Sequence, residues 1–494
     1  MKVVLINVQW NPGNLKYLAA IPLGITYLGT VLKNNGFSVY LLDATAKEWS
    51  NERVFQWVQQ IQPEVVGFGV LTSSFLLTID LVKIIKEWNP SIKIVLGNYF
   101  ATIEGENIIR KYGNIVDFCV RGEAETTLLK LCQWIEKTPD KDPYEIKGLT
   151  FRDHNQKTIS TPDRPLEMDL DKIPFPDRKL IKFNYTVNIS GIEIPNSKFT
   201  SVVSSRGCPY NCSYCACSKF AKQRWRPRSP NNVVEELALL AEQGYTDVHF
   251  VDDNFTLRAD RVIEICKLMK KENIDLNWHT DGRTDQASPE MFHWMHKAGC
   301  RLIWLGFESV NQRMLNIYNK KTKASQFTQT IRNIRKGKIE LVIGVFMIGG
   351  PTETLEEIKR TLYYGTHADL DFPIFFNTLL YSGVKLWENA IAQGLISPDD
   401  IVEAIVNRKP QKVERWETIT PLEDISKSPQ EKEEVYNLLR EANRSIFSFR
   451  RFPQLLKCSL RYLRSRYLVT TIRSVLAQHD GAKWNAFRNY QLIA

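Results

Sequence analysis

The residues with the clearest chemical potential are four cysteines grouped in segment 208–217. Cys208, Cys212 and Cys215 have the spacing C-x3-C-x2-C, which lets three thiolates of one compact loop bind three irons of a [4Fe–4S] cluster. A cubane cluster normally takes four cysteine ligands, so its fourth iron would be available to a small molecule. The alternative is a zinc site with Cys217 as a fourth thiolate. We favour the cluster, with Cys217 packed beside it.

Polar residues also recur where four predicted strands of the same region end. In a barrel of β/α units the carboxyl ends of the strands form one rim, and the chemistry of such folds is found there. Taken singly these are ordinary turn sequences, but their recurrence in register with the cysteine loop favours one shared site. The strand ends are Asp252-Asp253, Asp281-Gly282-Arg283, Gly306-Phe307-Glu308 and Ile348-Gly349-Gly350. We interpret His279, His293 and His296 as structural histidines with satisfied ring nitrogens.

The first part of the chain predicts a doubly wound α/β domain. Continuous apolar runs alternate with amphipathic helical stretches such as 25–32 and 78–88, as in a parallel sheet covered on both faces. The predicted strands are 3–8, 38–42, 65–69, 92–97 and 116–120. We assign residues 1–150 to this domain and the proline-rich residues 151–195 to a linker.

A second alternating series predicts a partial (β/α)6 barrel in residues 196–400. Six strands with helical patterns between them fit repeated parallel β/α units. The predicted strands are 200–205, 247–251, 276–280, 302–307, 341–348 and 374–380. Strand patterns stop near residue 400, and we expect residues 401–494 to form a helical, basic region.

The cysteine loop and the strand ends resemble the radical S-adenosylmethionine superfamily. The resemblance rests on the C-x3-C-x2-C spacing with an aromatic residue before the third cysteine, and on the Gly-x-Glu-Ser sequence 306–309. It implies that S-adenosylmethionine chelates the open iron and is cleaved to a 5′-deoxyadenosyl radical. It also implies these contacts to S-adenosylmethionine: Tyr214, Asp252, Asp253, Arg283, Glu308 and Gly349.

The N-terminal domain resembles the cobalamin-binding domain that precedes many members of that superfamily. The resemblance lies in segments 21–24, 67–74, 96–102 and 121–125, and in the linker sequence 170–176. It implies cobalamin contacts at Thr72, Ser73, Gly97, Gly122 and Glu123. The D-x-H-x-x-G motif that supplies a histidine to cobalt is absent, since Asp43 is followed by Ala44 and Thr45. We expect cobalamin without a histidine ligand; a degenerate domain that has lost the corrin is the alternative.

Charge and composition limit the partners and the location. The net charge is +10, and residues 441–494 hold ten Arg and Lys against two acidic residues, so the rest of the chain is nearly neutral. A nearly neutral body argues against nucleic-acid binding. The sequence has neither a signal peptide nor a membrane-spanning stretch, which predicts a cytoplasmic protein. An apolar stripe beside basic residues in 452–467 fits either peripheral contact with the inner membrane face or packing on the barrel.

Together these features predict a cobalamin-dependent radical S-adenosylmethionine methyltransferase that acts on an unactivated carbon of a small, lipophilic molecule. In the implied reaction one S-adenosylmethionine methylates cobalamin and another yields the radical that abstracts hydrogen from the substrate. An electron donor such as flavodoxin or ferredoxin is implied. The first alternative is a cyclase or rearrangement enzyme with the same two domains and no methyl transfer. The second is a corrinoid- or lipid-binding protein without catalysis.

Overall fold

The computed structural model describes residues 1–8, 20–137, 142–189, 192–193, 197–394 and 429–445. These residues divide into two compact units, Met1–Asn184 and the part of the chain that begins at Tyr185. Within the described ranges, no helix is both long enough and apolar enough to cross a membrane.

The first unit contains one seven-stranded sheet with the strand order β2-β1-β3-β4-β5-β6-β7. Strands β1 to β5 are parallel, and β6 and β7 continue the sheet as antiparallel strands. The order 2-1-3-4-5 is that of flavodoxin-like doubly wound folds. The strands are β1 (Lys2–Asn7), β2 (Ser38–Asp43), β3 (Val65–Gly69), β4 (Lys93–Gly97), β5 (Phe118–Val120), β6 (Leu149–Arg152) and β7 (Thr158–Ser160).

Within the described residues, five helices accompany this sheet. The helices are α1 (Leu23–Asn34), α2 (Asn51–Ile61), α3 (Phe75–Trp88), α4 (Asn98–Tyr112) and α5 (Glu125–Lys137). In β1 the consecutive residues Val3 to Ile6 are all buried, so both faces of the strand are covered. A parallel sheet covered on both faces needs such continuous apolar strands. The predicted doubly wound α/β domain is confirmed, and strands β6 and β7 show that its sheet continues into the segment predicted as a linker.

The second unit is built on a six-stranded parallel sheet with the order β10-β13-β14-β15-β16-β17. Two short antiparallel pairs, β8–β9 and β11–β12, lie outside that sheet. The strands are β8 (Asn188–Ile189), β9 (Ile192–Glu193), β10 (Phe199–Val202), β11 (Ser205–Arg206), β12 (Arg226–Pro227), β13 (Asp247–Phe250), β14 (Asn277–Arg283), β15 (Cys300–Glu308), β16 (Leu341–Ile348) and β17 (Phe372–Asn377). The predicted partial barrel of six parallel strands is confirmed.

Helices cover one face of this sheet. The described helices of this unit, not all of which pack on that face, are α6 (Ala216–Phe220), α7 (Pro230–Glu242), α8 (Ala259–Lys271), α9 (Pro289–Lys297), α10 (Gln312–Ile317), α11 (Phe327–Lys336), α12 (Leu355–His367), α13 (Lys385–Ala392) and α14 (Pro429–Ser445). The core contains Val248 and Phe250 of β13 with Leu237 of α7 and Ile265 of α8. Side chains alternate along a strand, so the residues between these core positions point to the opposite face. We call that opposite face the inner face.

Helix α14 is the described part of the predicted C-terminal helical region. Its Val435 and Leu439 are buried in the core of the second unit, and Lys359 of α12 pairs with Glu434 at 3.3 Å. The predicted basic and apolar stripe of residues 452–467 lies outside the described residues.

Candidate active site

The cysteine loop is closed at its base by the β11–β12 pair. Ser205 pairs with Pro227 and Arg206 with Arg226, so the chain leaves and returns at adjacent positions. Gly207 begins the loop with φ +86°, a conformation that glycine adopts without strain. A Cβ at Gly207 would also collide with the carbonyl oxygen of Arg224. The loop therefore has a fixed start three residues after Ser204, at the carboxyl end of β10.

The three predicted cluster cysteines lie in this loop, and nitrogen donors reach two of them. Cys212 is buried, and Cys208 and Cys215 are half-buried. The Asn254 side-chain amide donates to Cys208 Sγ at 3.8 Å, and Arg283 Nη1 donates to Cys212 Sγ at 3.8 Å. Such N–H donors stabilise ligated thiolates and tune a bound cluster. The donor set therefore fits an iron–sulfur cluster.

No three His, Cys, Asp or Glu side chains among the described residues converge on a position for one metal ion. A cubane does not require such convergence, because each thiolate binds a different iron. Cys217 contacts Cys215: the hydrogen bond between their side chains lowers the pKa of Cys215 to about 7. Burial raises the pKa of Cys212. Cys217 is thus a neighbour of one predicted ligand, and its exclusion from the ligand set stays a prediction.

Asp252 supports the strand that leads into the loop. Its carboxylate accepts hydrogen bonds from the Ser204 amide at 2.7 Å, the Ser204 hydroxyl at 2.6 Å and the Ser205 hydroxyl at 2.5 Å. Burial raises the pKa of Asp252, and these hydrogen bonds oppose that rise. Asp253 is exposed and accepts a hydrogen bond from the Gly207 amide at 2.7 Å. Both predicted contacts to S-adenosylmethionine therefore also fix the cysteine loop.

Arg283, at the end of β14, connects the rim to the loop. It forms a two-point ion pair with Asp285, with distances of 3.0 and 2.9 Å. Its Nη2 donates to the Lys320 carbonyl at 2.6 Å, and its guanidinium lies 3.7 Å from the ring centroid of Tyr210. With these contacts and the Cys212 contact, Arg283 is held beside the cluster ligands.

Glu308, at the end of β15, lies in a buried polar triad. Lys320 Nζ is 2.6 Å from Glu308 Oε1, and Tyr214 donates its hydroxyl to the same oxygen at 2.9 Å. Lys320 Nζ is also 3.3 Å from the Tyr214 hydroxyl. Burial, followed by the charge of Glu308, raises the pKa of Tyr214 well above its usual value. The two predicted contacts Tyr214 and Glu308 are therefore next to each other. Tyr214 lies between Cys212 and Cys215 in the loop, and Glu308 is the last residue of β15.

Gly349 and Gly350 follow β16 at the same rim. Gly349 has φ +73°, and a Cβ at Gly350 would collide with the Tyr318 hydroxyl. That hydroxyl is 2.8 Å from Thr378 Oγ1, directly after β17. The Tyr318 carbonyl accepts from the Ser213 amide at 2.9 Å, which connects this rim to the cysteine loop. Gly349 therefore lies at the predicted place, and its contact with S-adenosylmethionine stays a prediction.

The histidines depart from the sequence interpretation. Both ring nitrogens of His279, and Nδ1 of His296, are covered from solvent and have no hydrogen-bond partner within the described part of the chain. The expectation that these nitrogens are satisfied is therefore wrong for His279 and His296 as far as hydrogen bonds within the described residues are concerned.

The five predicted cobalamin contacts follow the carboxyl ends of β3, β4 and β5 in the first unit. Thr72 and Ser73 begin a short 3-10 turn after β3, and Gly97 ends β4. Gly122 and Glu123 follow β5, and the Gly122 amide donates to Thr102 Oγ1 at 3.0 Å. A Cβ at Gly122 would meet no atom within 4 Å, and one at Gly97 would meet nothing closer than 4.0 Å. This open edge fits a flat cofactor, and its cobalamin contacts stay a prediction.

Sequence reasoning missed Asn254, Lys320 and Tyr210. Asn254 directly follows the predicted strand end Asp252-Asp253, so its proximity to a cysteine could have been proposed. Tyr210 lies within the cysteine motif, but the spacing of the cysteines assigns no role to it. Lys320 lies in a connecting segment without a motif, and only the fold brings it to the rim.

Comparison with known proteins adds the family. The family model of the radical SAM superfamily matches residues 202–363, and that of the B12 binding domain matches residues 17–131. An uncharacterized methyltransferase of Pyrococcus horikoshii is 31% identical over 376 residues, covering 76% of this chain and 79% of that protein. An anaerobic magnesium-protoporphyrin IX monomethyl ester cyclase of Cereibacter sphaeroides is 29% identical over 73% of this chain, which spans 59% of the cyclase.

Among solved structures, the radical S-adenosylmethionine methyltransferase TsrM of Kitasatospora setae, with cobalamin and a [4Fe–4S] cluster bound, has a similar fold. The TM-score is 0.64 at 19% sequence identity, with 79% of this chain and 75% of TsrM covered. The two matched family models imply a [4Fe–4S] cluster and S-adenosylmethionine for the second unit and cobalamin for the first. With the cysteine loop and its rim, these matches show that the chain belongs to the radical S-adenosylmethionine superfamily, among the members with a B12 binding domain.

Proposed function

We propose that this chain is a cobalamin-dependent methyltransferase that methylates an unactivated carbon of a small, largely apolar molecule. The observation that carries the proposal is the cysteine loop, in which Asn254 and Arg283 donate to two of three thiols while the polar triad of Glu308 adjoins the loop. The similarity to a Pyrococcus horikoshii methyltransferase supports methyl transfer. When bound, the cluster and S-adenosylmethionine supply hydrogen abstraction, and cobalamin carries the methyl group.

The chain's own residues bind and orient the cosubstrate. Cys208, Cys212 and Cys215 hold the cluster, and Arg283 fixes the loop from the side of β14. Glu308 presents a carboxylate whose charge Lys320 balances, so it can accept hydrogen bonds from an amine or from ribose hydroxyls. Gly349 allows close approach of the backbone to the adenine. In the first unit, Thr72, Ser73, Gly97, Gly122 and Glu123 would line the cobalamin edge.

The experiment is anaerobic incubation of the cluster- and cobalamin-loaded enzyme with S-adenosylmethionine and a reductant. We expect both 5′-deoxyadenosine and S-adenosylhomocysteine as products. Cys212→Ala should abolish 5′-deoxyadenosine, whereas Cys266→Ala, a buried cysteine of α8, should retain it. Full cleavage by Cys212→Ala would contradict the cluster assignment.

A cyclase without methyl transfer is the second candidate, and the similarity to the Cereibacter sphaeroides cyclase favours it. The same incubation separates the two, because 5′-deoxyadenosine without S-adenosylhomocysteine would contradict methyl transfer and leave the cyclase. Reduction by flavodoxin or ferredoxin, a lipophilic substrate and peripheral membrane contact through residues 452–467 also remain proposals.

A further inference from the structure

A polar pair lies on the inner face of the six-stranded sheet. Val248, Phe250 and Trp278 pack into the helix-covered core, so the alternating residues His249 and His279 lie on the inner face. The strand register pairs His249 of β13 directly with His279 of β14. Although 30 positions separate them in the sequence, the two imidazoles are neighbours.

The rings form a stack that fixes their orientation. The His249 and His279 centroids are 4.4 Å apart with an interplanar angle of 6°. His279 also stacks on Phe199 at 5.6 Å and 24°. His279 therefore contacts two aromatic rings, which restrict its orientation.

The nitrogens of this stack are not satisfied by the protein. Both nitrogens of His279 and Nε2 of His249 are covered from solvent, and none forms a hydrogen bond with the described residues. Asp281 Oδ2 approaches His249 Nε2 to 3.4 Å without hydrogen-bond geometry. Burial, followed by the neighbouring His249, holds the pKa of His279 well below its usual value. A neutral imidazole offers one donor nitrogen and one acceptor nitrogen, so a group that can both accept and donate can bind a donor nitrogen of one ring and an acceptor nitrogen of the other.

The local charge selects among such groups. Asp281 lies beside the stack, and Asp247 lies two residues before His249 on the same face of β13. Arg283, two residues beyond Asp281 along β14, is paired with Asp285. At the opposite end, Arg301 donates to Asn277 and pairs with Glu340. Basic groups near the stack are thus already paired, while Asp281 repels anions. A carboxylate or phosphate is disfavoured, whereas a hydroxyl can accept a hydrogen bond from one imidazole and donate one to the other.

The neighbouring strands add large apolar residues to the inner face. The register continues from Asp281 to Trp304 of β15 and then to Ile343 of β16. His279 is four residues before Arg283 on one strand, a separation of about 13 Å. A substrate held at the stack could therefore contact Trp304 and Ile343 across the sheet, while Asp281 and Arg283 lie between the stack and the cysteine loop.

A metal ion is the competing occupant, since two histidines and one aspartate can form a metal site. The parallel stacked rings direct their nitrogens side by side, and the described residues contain no three-ligand group that converges on one ion. We propose that His249 and His279 bind a hydroxyl group of an otherwise apolar substrate and anchor that substrate on the inner face. This proposal rests on the proposed function, because it takes the inner face as the substrate site.

The test measures binding of two small aromatic probes to the cluster- and cobalamin-loaded enzyme by anaerobic calorimetry. The probes are 2-naphthol, which carries a hydroxyl, and 2-naphthoate, which carries a carboxylate. We expect 2-naphthol to bind about tenfold more tightly, and His279→Phe to weaken its binding about fivefold to tenfold, the effect of one or two hydrogen bonds. Phenylalanine keeps the stack and removes the nitrogens. His367→Phe, an exposed histidine stacked on Tyr363 at 3.9 Å, is the matched control and should change nothing.

A second variant keeps the test decisive if His279→Phe does not fold. Asp281 is about half exposed, with 47% of its side chain accessible, so Asp281→Asn should fold. It should strengthen 2-naphthoate binding severalfold by removing the repelling charge. The proposal would be overturned if the two probes bound with equal affinity, or if His279→Phe left 2-naphthol binding unchanged. It would also be overturned if Asp281→Asn left 2-naphthoate binding unchanged, or if the wild type bound Zn²⁺ and His279→Phe abolished that binding.

The same preparations separate this proposal from the proposed function. If the wild type cleaved S-adenosylmethionine but His279→Phe left 2-naphthol binding unchanged, the hydroxyl site alone would be overturned. Selective 2-naphthol binding without 5′-deoxyadenosine would overturn the proposed function and leave the hydroxyl site standing.

Discussion

The buried ion pair between Lys320 and Glu308 leads to a prediction about stability, and the structure allows its magnitude to be worked out. The side chains are only 6% and 8% exposed, and their charged atoms are 2.6 Å apart. Lys320→Met keeps the length of the side chain and removes its charge. Glu308 would keep the hydrogen bond from Tyr214 but lose its countercharge, and removing one partner of such a buried pair costs about 3–5 kcal/mol. We expect the free energy of unfolding to fall by about that amount.

The assay is a double-mutant cycle by denaturant unfolding of the chain without its cluster. The wild type, Lys320→Met, Glu308→Gln and the double variant are compared, because the cycle isolates the pair from the effects of each residue alone. The double variant should recover most of the loss, since neither buried charge remains. In the loaded enzyme, Lys320→Met should raise KM for S-adenosylmethionine more than it lowers kcat, because the lysine positions the Glu308 carboxylate.

The refuting result is equally specific. A loss below about 1 kcal/mol with Lys320→Met would place the pair among solvent-screened ion pairs. If the double variant recovered full stability and KM for S-adenosylmethionine were unchanged in every variant, the ion pair would be only a structural feature. Glu308 would then have no part in the binding of S-adenosylmethionine.

Two further predictions concern the second unit. Gly207→Ala should remove most of the bound iron, measured per chain after reconstitution, because its Cβ would collide with the Arg224 carbonyl. Gly244 also has a positive φ (+78°), but a Cβ there would meet open space, so Gly244→Ala should keep the iron. Equal iron loss in the two variants would contradict the steric argument. The hydrogen bonds from Arg313 lower the pKa of Glu357 from 4.5 to about 2, so their stabilisation is complete above pH 4.5 and is lost as the pH falls towards 2. Melting temperatures of the wild type and Glu357→Gln should therefore converge below pH 4.5, and a constant difference would contradict the pKa shift.

The strands could be predicted closely because local composition decides them. Segments 65–69 and 341–348 were predicted with the bounds that β3 and β16 have, since continuous apolar runs between polar turns leave few alternatives. The antiparallel strands β6 and β7 were missed. Residues 149–152 and 158–160 are short, and a proline-rich sequence follows them, so the local signal favoured a linker over an edge of the sheet.

The candidate site was predictable where one segment contains all of it and unpredictable where the fold assembles it. The cysteine spacing lies within eight residues, so it is visible in the sequence. Lys320 meets Glu308 because the segment after α10 returns to the end of β15, and no local pattern specifies that return.

The two inner-face histidines show the same limit more sharply. Each has an ordinary environment in its own strand, and a satisfied histidine was the reasonable expectation for either one alone. The β13–β14 register stacks the rings and leaves their nitrogens towards the inner face, so the property belongs to the pair. The cysteine loop is specified by a contiguous motif of eight residues, so its chemistry is visible in the sequence. The proposed hydroxyl site consists of single residues on two strands, and its chemistry becomes visible only when the strand register is known.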